Sequence, residues 1–129
     1  MSTLDHIGIK VVDFKTAKAF YEKVLATLGI APIMVMEEEA FSGAGFGRDG
    51  KPDFWISTGE SATSPIHIAF AARSSHEVDA FYAAALAAGA KDNGPPGIRK
   101  GYHPNYYGAF VLDADGHNIE AVFHGGITA

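Results

Sequence analysis

Cysteine is absent from all 129 residues, which rules out disulfide staples and thiolate metal sites alike. Any metal would have to sit on His, Asp or Glu, which are harder nitrogen and oxygen donors. Long apolar runs are missing too: none approaches the roughly 18–20 residues that a membrane-spanning helix needs. There is no basic cluster. Lys and Arg number 10 against 15 acidic residues, a formal charge of −5, and stand singly apart from Arg99-Lys100. Nucleic-acid binding leans on a basic stripe that displaces counterions, so that class of partner is excluded. The opening residues MSTLDHIGIK lack the basic start, apolar stretch and small-residue cleavage site of an export leader, and a cytoplasmic location is expected.

What is present is a repeat. The length suits one domain over residues 1–129. At a spacing of 61 residues, 5–29 and 66–90 align without a gap. The identical pairs are His6/His67, Ile7/Ile68, Ala19/Ala80, Phe20/Phe81, Tyr21/Tyr82, Leu25/Leu86 and Ala26/Ala87. Alanine is common here, but a His-Ile pair followed 14 residues later by Phe-Tyr in both copies points to duplication. Module one is placed at about 4–58 and module two at about 65–125.

Each copy reads as a strand, a helix and three further strands. The first strands are expected at 6–12 and 66–72. In copy one, Phe14, Ala17, Phe20, Tyr21, Val24 and Leu28 recur at helical spacing between a cap at Asp13 and a stop at Gly29. In copy two, Ser74 and Glu77 have capping-box spacing, and Val78, Phe81, Tyr82 and Leu86 form the stripe before Gly89. Further strands are expected at 31–37, 41–47 and 53–58, with a turn at Asp49-Gly50, and at 90–93, 106–112 and 118–124, the last two joined by Asp113–Gly116. Residues 57–65 read as the link between copies. Residues 92–105 hold three prolines and three glycines, which predicts a long loop with a functional role.

Side chains alternate along a strand. At 6–11 this sets His6, Gly8 and Lys10 against Ile7, Ile9 and Val11; at 66–70 it sets His67 and Ala69 against Ile66, Ile68 and Phe70. At 118–123 it sets Asn118, Glu120 and Val122 against Ile119, Ala121 and Phe123. If the apolar faces pack on helices, His6, His67 and Glu120 share the opposite face. A lone strand histidine is more often a hydrogen-bonded residue than a ligand, and Glu120 alone could pair with a lysine. The matched places of the two histidines in the repeat turn the balance toward a metal site. Two imidazoles and a carboxylate leave positions open for substrate or water, and Fe, Mn, Ni, Co and Zn in the divalent state all suit them. Such a metal polarises a carbonyl or binds two neighbouring oxygens.

The chain resembles the vicinal-oxygen-chelate superfamily of glyoxalases, extradiol dioxygenases, epimerases and resistance proteins. The residues that carry the likeness are D-H-I-G-I at 5–9, A-F-Y-E at 19–22, H-I-A-F at 67–70 and Y-Y-G-A-F-V-L-D-A-D-G-H-N-I-E at 106–120. The resemblance implies an α+β fold in which two tandem βαβββ modules form a U-shaped, partly open mixed sheet with helices on the convex face. It implies a homodimer, and it matches His6, His67 and Glu120 to the ligands on the first, fifth and eighth strands. One departure bears on activity. Glyoxalase I and the epimerases like it carry a fourth ligand, Glu or Gln, on the fourth strand, which here reads Asp53-Phe54-Trp55-Ile56-Ser57. That argues against a glyoxalase I. Three ligands suit dioxygenase-like or thiol-transferase-like members, although extradiol dioxygenases generally have four modules.

Other residues that could line the site are His103, Tyr106 and Tyr107. A four-residue turn at 113–116 sets Ala109 opposite Glu120 and puts Tyr107 on its face; a register shift of one would bring in Tyr106. A tyrosine that packs its ring and wets its hydroxyl fits as well as a catalytic one. Arg99 and Lys100 could hold an anionic substrate or merely form a solvated pair, while Phe54 and Trp55 read as core or pocket wall. The expectation is a metal-dependent lyase, dioxygenase or transferase acting on a small oxygen-rich substrate, with Tyr107 or His103 assisting proton transfer. The alternative is a metal-free protein that sequesters a small molecule, as bleomycin-resistance proteins do.

Overall fold

The computed structural model describes residues 3–59 and 65–129. Its elements run β1 (Ile7–Val11), α1 (Phe14–Ala26), β2 (Ala31–Glu37), β3 (Ser42–Arg48), β4 (Lys51–Thr58), β5 (His67–Ala71), α2 (Ser75–Ala87), β6 (Lys91–Ile98), β7 (Tyr107–Leu112) and β8 (Asn118–Phe123). The chain divides into two compact units between residues 63 and 64. Each holds one helix and one open four-stranded sheet, ordered β1-β4-β3-β2 in the first and β5-β8-β7-β6 in the second. The first and last strands of each unit pair parallel, and the other neighbours pair antiparallel. This is the expected α+β fold of two βαβββ modules. Among the described residues, no helix is long and apolar enough to cross a membrane.

The repeat explains the topology. A parallel partner needs a crossover, and an amphipathic helix between the first strand and its partner provides one. Both helices start where an N-cap was expected: Asp13 accepts from the Thr16 N–H at 3.1 Å, and Ser74 accepts from the Glu77 N–H at 3.1 Å. The Glu77 carboxylate reaches the Arg73 N–H at 2.7 Å. Gly29 and Gly89 end the helices at φ 73° and 100°, where a β-carbon would be strained.

The two helices do not bury the same aromatic. In α1, Tyr21 is inside, packed on Phe54 at 5.2 Å and near Phe46 at 6.5 Å; in α2 the buried ring is Phe81, the partner of Phe20 in the repeat. The counterpart of Tyr21, Tyr82, instead donates its hydroxyl to Asp92 at 3.0 Å. Asp49 and Gly50, at φ 54° and 79°, make the tight turn between β3 and β4 that their sequence foretells.

Two expectations are corrected. The long loop predicted over 92–105 is shorter, because β6 continues through Pro95 and Pro96 to Ile98. Prolines lack an N–H and are tolerated only at an edge or a bulge. β6 supplies both: it is the outermost strand of its sheet, and its register against β7 shifts between Asp92 and Gly94 and again between Gly94 and Gly97. In the first unit, β4 extends to Thr58, so the link expected over 57–65 begins later; its residues 60–64 lie outside the described residues.

The turn between β7 and β8 is also longer than expected. Leu112 pairs with Asn118, leaving five residues, 113–117, between them. Asp113 holds this loop from inside, its Oδ1 accepting from the N–H groups of Asp115 at 3.0 Å and His117 at 2.9 Å. His117 is buried, and its Nδ1 accepts from the Ile66 N–H at 3.1 Å, which fixes the entry to β5 beside the start of β8. The fifth loop residue is therefore structural, and it moves the β7 register by one.

Candidate functional site

In the second unit that shift decides which tyrosine meets Glu120. Phe110, not Ala109, lies opposite Glu120, so alternation places Phe110, Gly108 and Tyr106 on the Glu120 face. The Tyr106 hydroxyl donates to Glu120 Oε2. Tyr107 points the other way, donating to Asp79 of α2 at 2.6 Å. The expectation that Tyr107 shares the face of Glu120 is thus corrected: Tyr106 does. Gly108 makes room, since a β-carbon there would stand 3.0 Å from the Tyr106 ring and 3.2 Å from Glu120 Oε2.

Glu120 is 1% exposed, an unusual place for a carboxylate unless it is paired. Its other oxygen, Oε1, lies 2.8 Å from Nε2 of His67, whose side chain is about half exposed at 52%. The carboxylate is thus held from one side by a phenol and from the other by an imidazole open to solvent. Burial, followed by the hydrogen bond to Glu120, pushes the Tyr106 phenol above its ordinary range, so it remains a donor. Tyr107 rises to about 12, again through burial first and Asp79 second.

In the first unit, His6 immediately precedes β1 and is exposed. Its Nδ1 lies 2.8 Å from Asp5 Oδ1, and Asp5 is held in turn by Lys51 at 3.2 Å. The hydrogen bond with His6, followed by Lys51, lowers the Asp5 carboxyl below its usual range. A carboxylate on Nδ1–H leaves the Nε2 lone pair of His6 free, which is how ligand histidines are oriented. Among the described residues no group of three or more His, Asp or Glu side chains comes together as a metal site; His67 and Glu120 meet within one unit, and His6 belongs to the other.

The rest of the Glu120 face is aromatic and basic. His103 lies before β7 with its ring 5.4 Å from Tyr106, edge on, and its Nε2 2.8 Å from His124 Nδ1. The guanidinium of Arg99 sits 5.5 Å over the Phe110 ring, which itself lies 6.1 Å from His67. Lys100 is exposed. His124, just past the end of β8, carries a partial signal in the sequence, since Glu120, Val122 and His124 follow one another at the two-residue period of a strand.

Trp55 occupies the place in the first unit that Glu120 holds in the second. It lies opposite Gly8 of β1, as Glu120 lies opposite Ala69 of β5. Its indole lies across Gly45, where a β-carbon would come within 2.8 Å of the ring. Phe54, beside it, faces the core and is 1% exposed. An open depression of about 610 Å³ in the same unit, bordered by the start of α1 and by Glu37, Glu38 and Glu39, contains none of the expected residues.

Comparison with known proteins agrees with this architecture. The family model described as Glyoxalase/Bleomycin resistance protein/Dioxygenase superfamily matches residues 3–121. A solved glyoxalase/bleomycin resistance protein from Albidiferax ferrireducens T118 is 31% identical, with a TM-score of 0.76 over 95% of this chain and 99% of that one. A mutant of the genomically encoded fosfomycin resistance protein FosX of Listeria monocytogenes, solved with Mn(II) and 1S,2S-dihydroxypropylphosphonic acid, is 25% identical, with a TM-score of 0.69 over 98% of this chain and 94% of that one. A glyoxalase I mutant from Zea mays shares the fold at 19% identity and a TM-score of 0.70, and 92% of this chain spans 46% of it. No curated protein sequence matches the chain.

Proposed function

We propose, for a chain that belongs to the glyoxalase/bleomycin resistance protein/dioxygenase superfamily, a metal-dependent enzyme acting on a small oxygen-rich substrate. Its ligands are His6, His67 and Glu120. The observation that carries this reading is Glu120, a buried carboxylate that turns one oxygen toward a half-exposed histidine nitrogen 2.8 Å away. Two ligands at right angles on one ion, each at about 2.0–2.2 Å, stand roughly 2.8–3.1 Å apart, so this hydrogen-bonded pair needs little movement to become neighbouring ligands. The donor set fits a divalent cation: His6 has its Nδ1–H engaged by Asp5, and Glu120 has its second oxygen engaged by Tyr106. When bound, the cation supplies a Lewis acid for a carbonyl or for paired oxygens.

The protein's own residues then divide the work. Tyr106 fixes the orientation of Glu120. Arg99 offers positive charge on the same face, which suits an anionic substrate, whereas His103, expected to assist proton transfer, stands beside Tyr106 with both ring nitrogens engaged within the protein. Tyr107, tied to Asp79, takes no part. The place of a fourth ligand is taken by Trp55, which supports a three-ligand chemistry distinct from glyoxalase I. The active form is a homodimer in the cytoplasm. Titration calorimetry with Mn(II), Fe(II), Ni(II), Co(II) and Zn(II) tests the reading: about one ion per chain is expected, with affinity falling toward acid pH as protons compete with the metal for its ligands. No binding of any of the five near neutral pH rejects it.

One observation favours the rival. The indole of Trp55, spread over Gly45, is a flat apolar surface on which a planar molecule could stack. A protein that takes up aromatic ligands equally well after chelation would be a sequestering protein.

A further inference from the structure

His124 has no part in the reading above, yet it follows the end of β8 directly, lies against Tyr106 and is bound into a defined arrangement. Its ring lies end to end with that of His103, with centroids 5.0 Å apart and planes at 26°, and meets Tyr106 edge on at 5.3 Å. His103 Nε2 and His124 Nδ1 are 2.8 Å apart, so one proton lies between them. A third group decides which nitrogen carries it. The backbone N–H of Asn105 donates to His103 Nδ1 at 3.1 Å.

A neutral imidazole has one donor nitrogen and one acceptor. His103 Nδ1 accepts, so His103 Nε2 carries the proton and gives it to His124 Nδ1. His124 must then hold its own proton on Nε2. Three N–H dipoles, from Asn105, His103 and His124, follow head to tail and polarise one another, and the last belongs to an exposed ring. The segments that carry them are tied together, since Gly126 N–H donates to the Asn105 carbonyl at 2.9 Å.

We propose that His103 and His124 act as one unit, a tautomer-locked pair that presents the Nε2–H of His124 to an oxyanion of the substrate. This rests on the proposed function and deepens it by naming the donor that would meet the anionic group of the substrate. A fixed donor at the end of an aligned chain costs no reorganisation when an anionic oxygen arrives. The same pair does not suit a cation. A metal would take the lone pair of His103 Nε2, moving the proton to Nδ1 and setting it against the Asn105 N–H.

The test uses the full chain, labelled with 15N at the imidazoles, stripped of metal by chelator and titrated with inorganic phosphate near pH 7.5. Two-bond nitrogen–proton spectra should show both His103 and His124 as Nε2–H tautomers, with a saturable phosphate shift at His124. His124→Ala should weaken phosphate binding by roughly tenfold or more, the loss expected of a hydrogen bond to a charged group, and His103→Ala, which acts only through His124, by a smaller factor. His103→Ala should also release His124 from its single tautomer. An Nδ1–H tautomer at His124, or phosphate binding unchanged in both variants, overturns the proposal. So does a Zn(II) titration that shifts His103 and His124 ahead of His67. Mn(II) affinity of the His124→Ala protein is measured alongside: it should equal that of the parent, so the oxyanion subsite and the metal site can fail separately.

Discussion

Trp55 and Glu120 stand at one and the same place in the two units: each lies opposite the residue two places after the unit's paired histidine, Gly8 after His6 and Ala69 after His67. One copy of the repeat has put a buried carboxylate there, the other an indole. The two units thus share a strand order but differ in what they place there: the buried carboxylate, the linked histidines His103 and His124 and Arg99 belong to the second unit, and His6 to the first.

Ligands and their supports should be separable by metal affinity. Asp5→Ala removes the carboxylate that orients His6 and should lower Mn(II) affinity by about 10–100-fold. Glu120→Gln, which keeps shape and removes charge, should lower it further while the protein stays folded. Titration calorimetry of the two variants checks the order. Equal affinity in Glu120→Gln and the parent would remove Glu120 from the ligand set.

The register finding is tested by two tyrosines that differ by one position. Tyr106→Phe deprives buried Glu120 of a donor and should cost about 1–3 kcal/mol in the metal-free protein. Tyr107→Phe breaks only a contact at the surface with Asp79 and should cost under about 1 kcal/mol. Urea melts give both values. The opposite order would mean that Tyr107, not Tyr106, faces Glu120.

Tyr107 also predicts an alkaline limb. Its phenol ionises at about 12 in the fold against an ordinary 10.0, so the neutral form is favoured by folding. The associated stability is complete below the unfolded value and is lost as pH rises through the folded one. Stability should decline between about pH 10 and 12, and less steeply in Tyr107→Phe. Thermal melts across that window, run beside ultraviolet titration of phenolate, provide the comparison.

At the acid end, Asp13 has the opposite sign. Its carboxyl is lowered by the hydrogen bonds from Thr16 at the start of α1, first from the backbone and then from the hydroxyl. Its contribution is present above the unfolded value of 3.8 and is lost as pH falls through the lower folded one. Asp13→Asn keeps a capping oxygen and should flatten this part of the acid limb, read by helix circular dichroism. An unchanged limb would show that another carboxylate dominates it.

Much of the fold was legible because the repeat doubled every signal. Phe-Tyr at one helical phase in both copies, caps at Asp13 and Ser74, and the Asp49-Gly50 turn all name their elements locally. Pro95 and Pro96 misled because composition cannot show that a strand lies at an edge, where the missing N–H groups have no ladder to break. Tyr107 misled for a different reason. Whether the turn after β7 has four residues or five depends on His117 turning inward to meet Ile66, a contact between residues 51 apart in the chain. The metal candidates rest on spacing and were visible; the burial of Glu120 and the link from His103 to His124 are tertiary and were not.

The two prolines of β6 have one more effect. An outermost strand with free N–H groups invites another chain to dock alongside it and continue the ladder, the first step toward fibrous aggregates. With Pro95 and Pro96 in place and two bulges twisting it out of line, β6 offers an incoming strand few donors and no even spacing to match. The loop next to the candidate site can therefore be open to solvent without its sheet becoming adhesive.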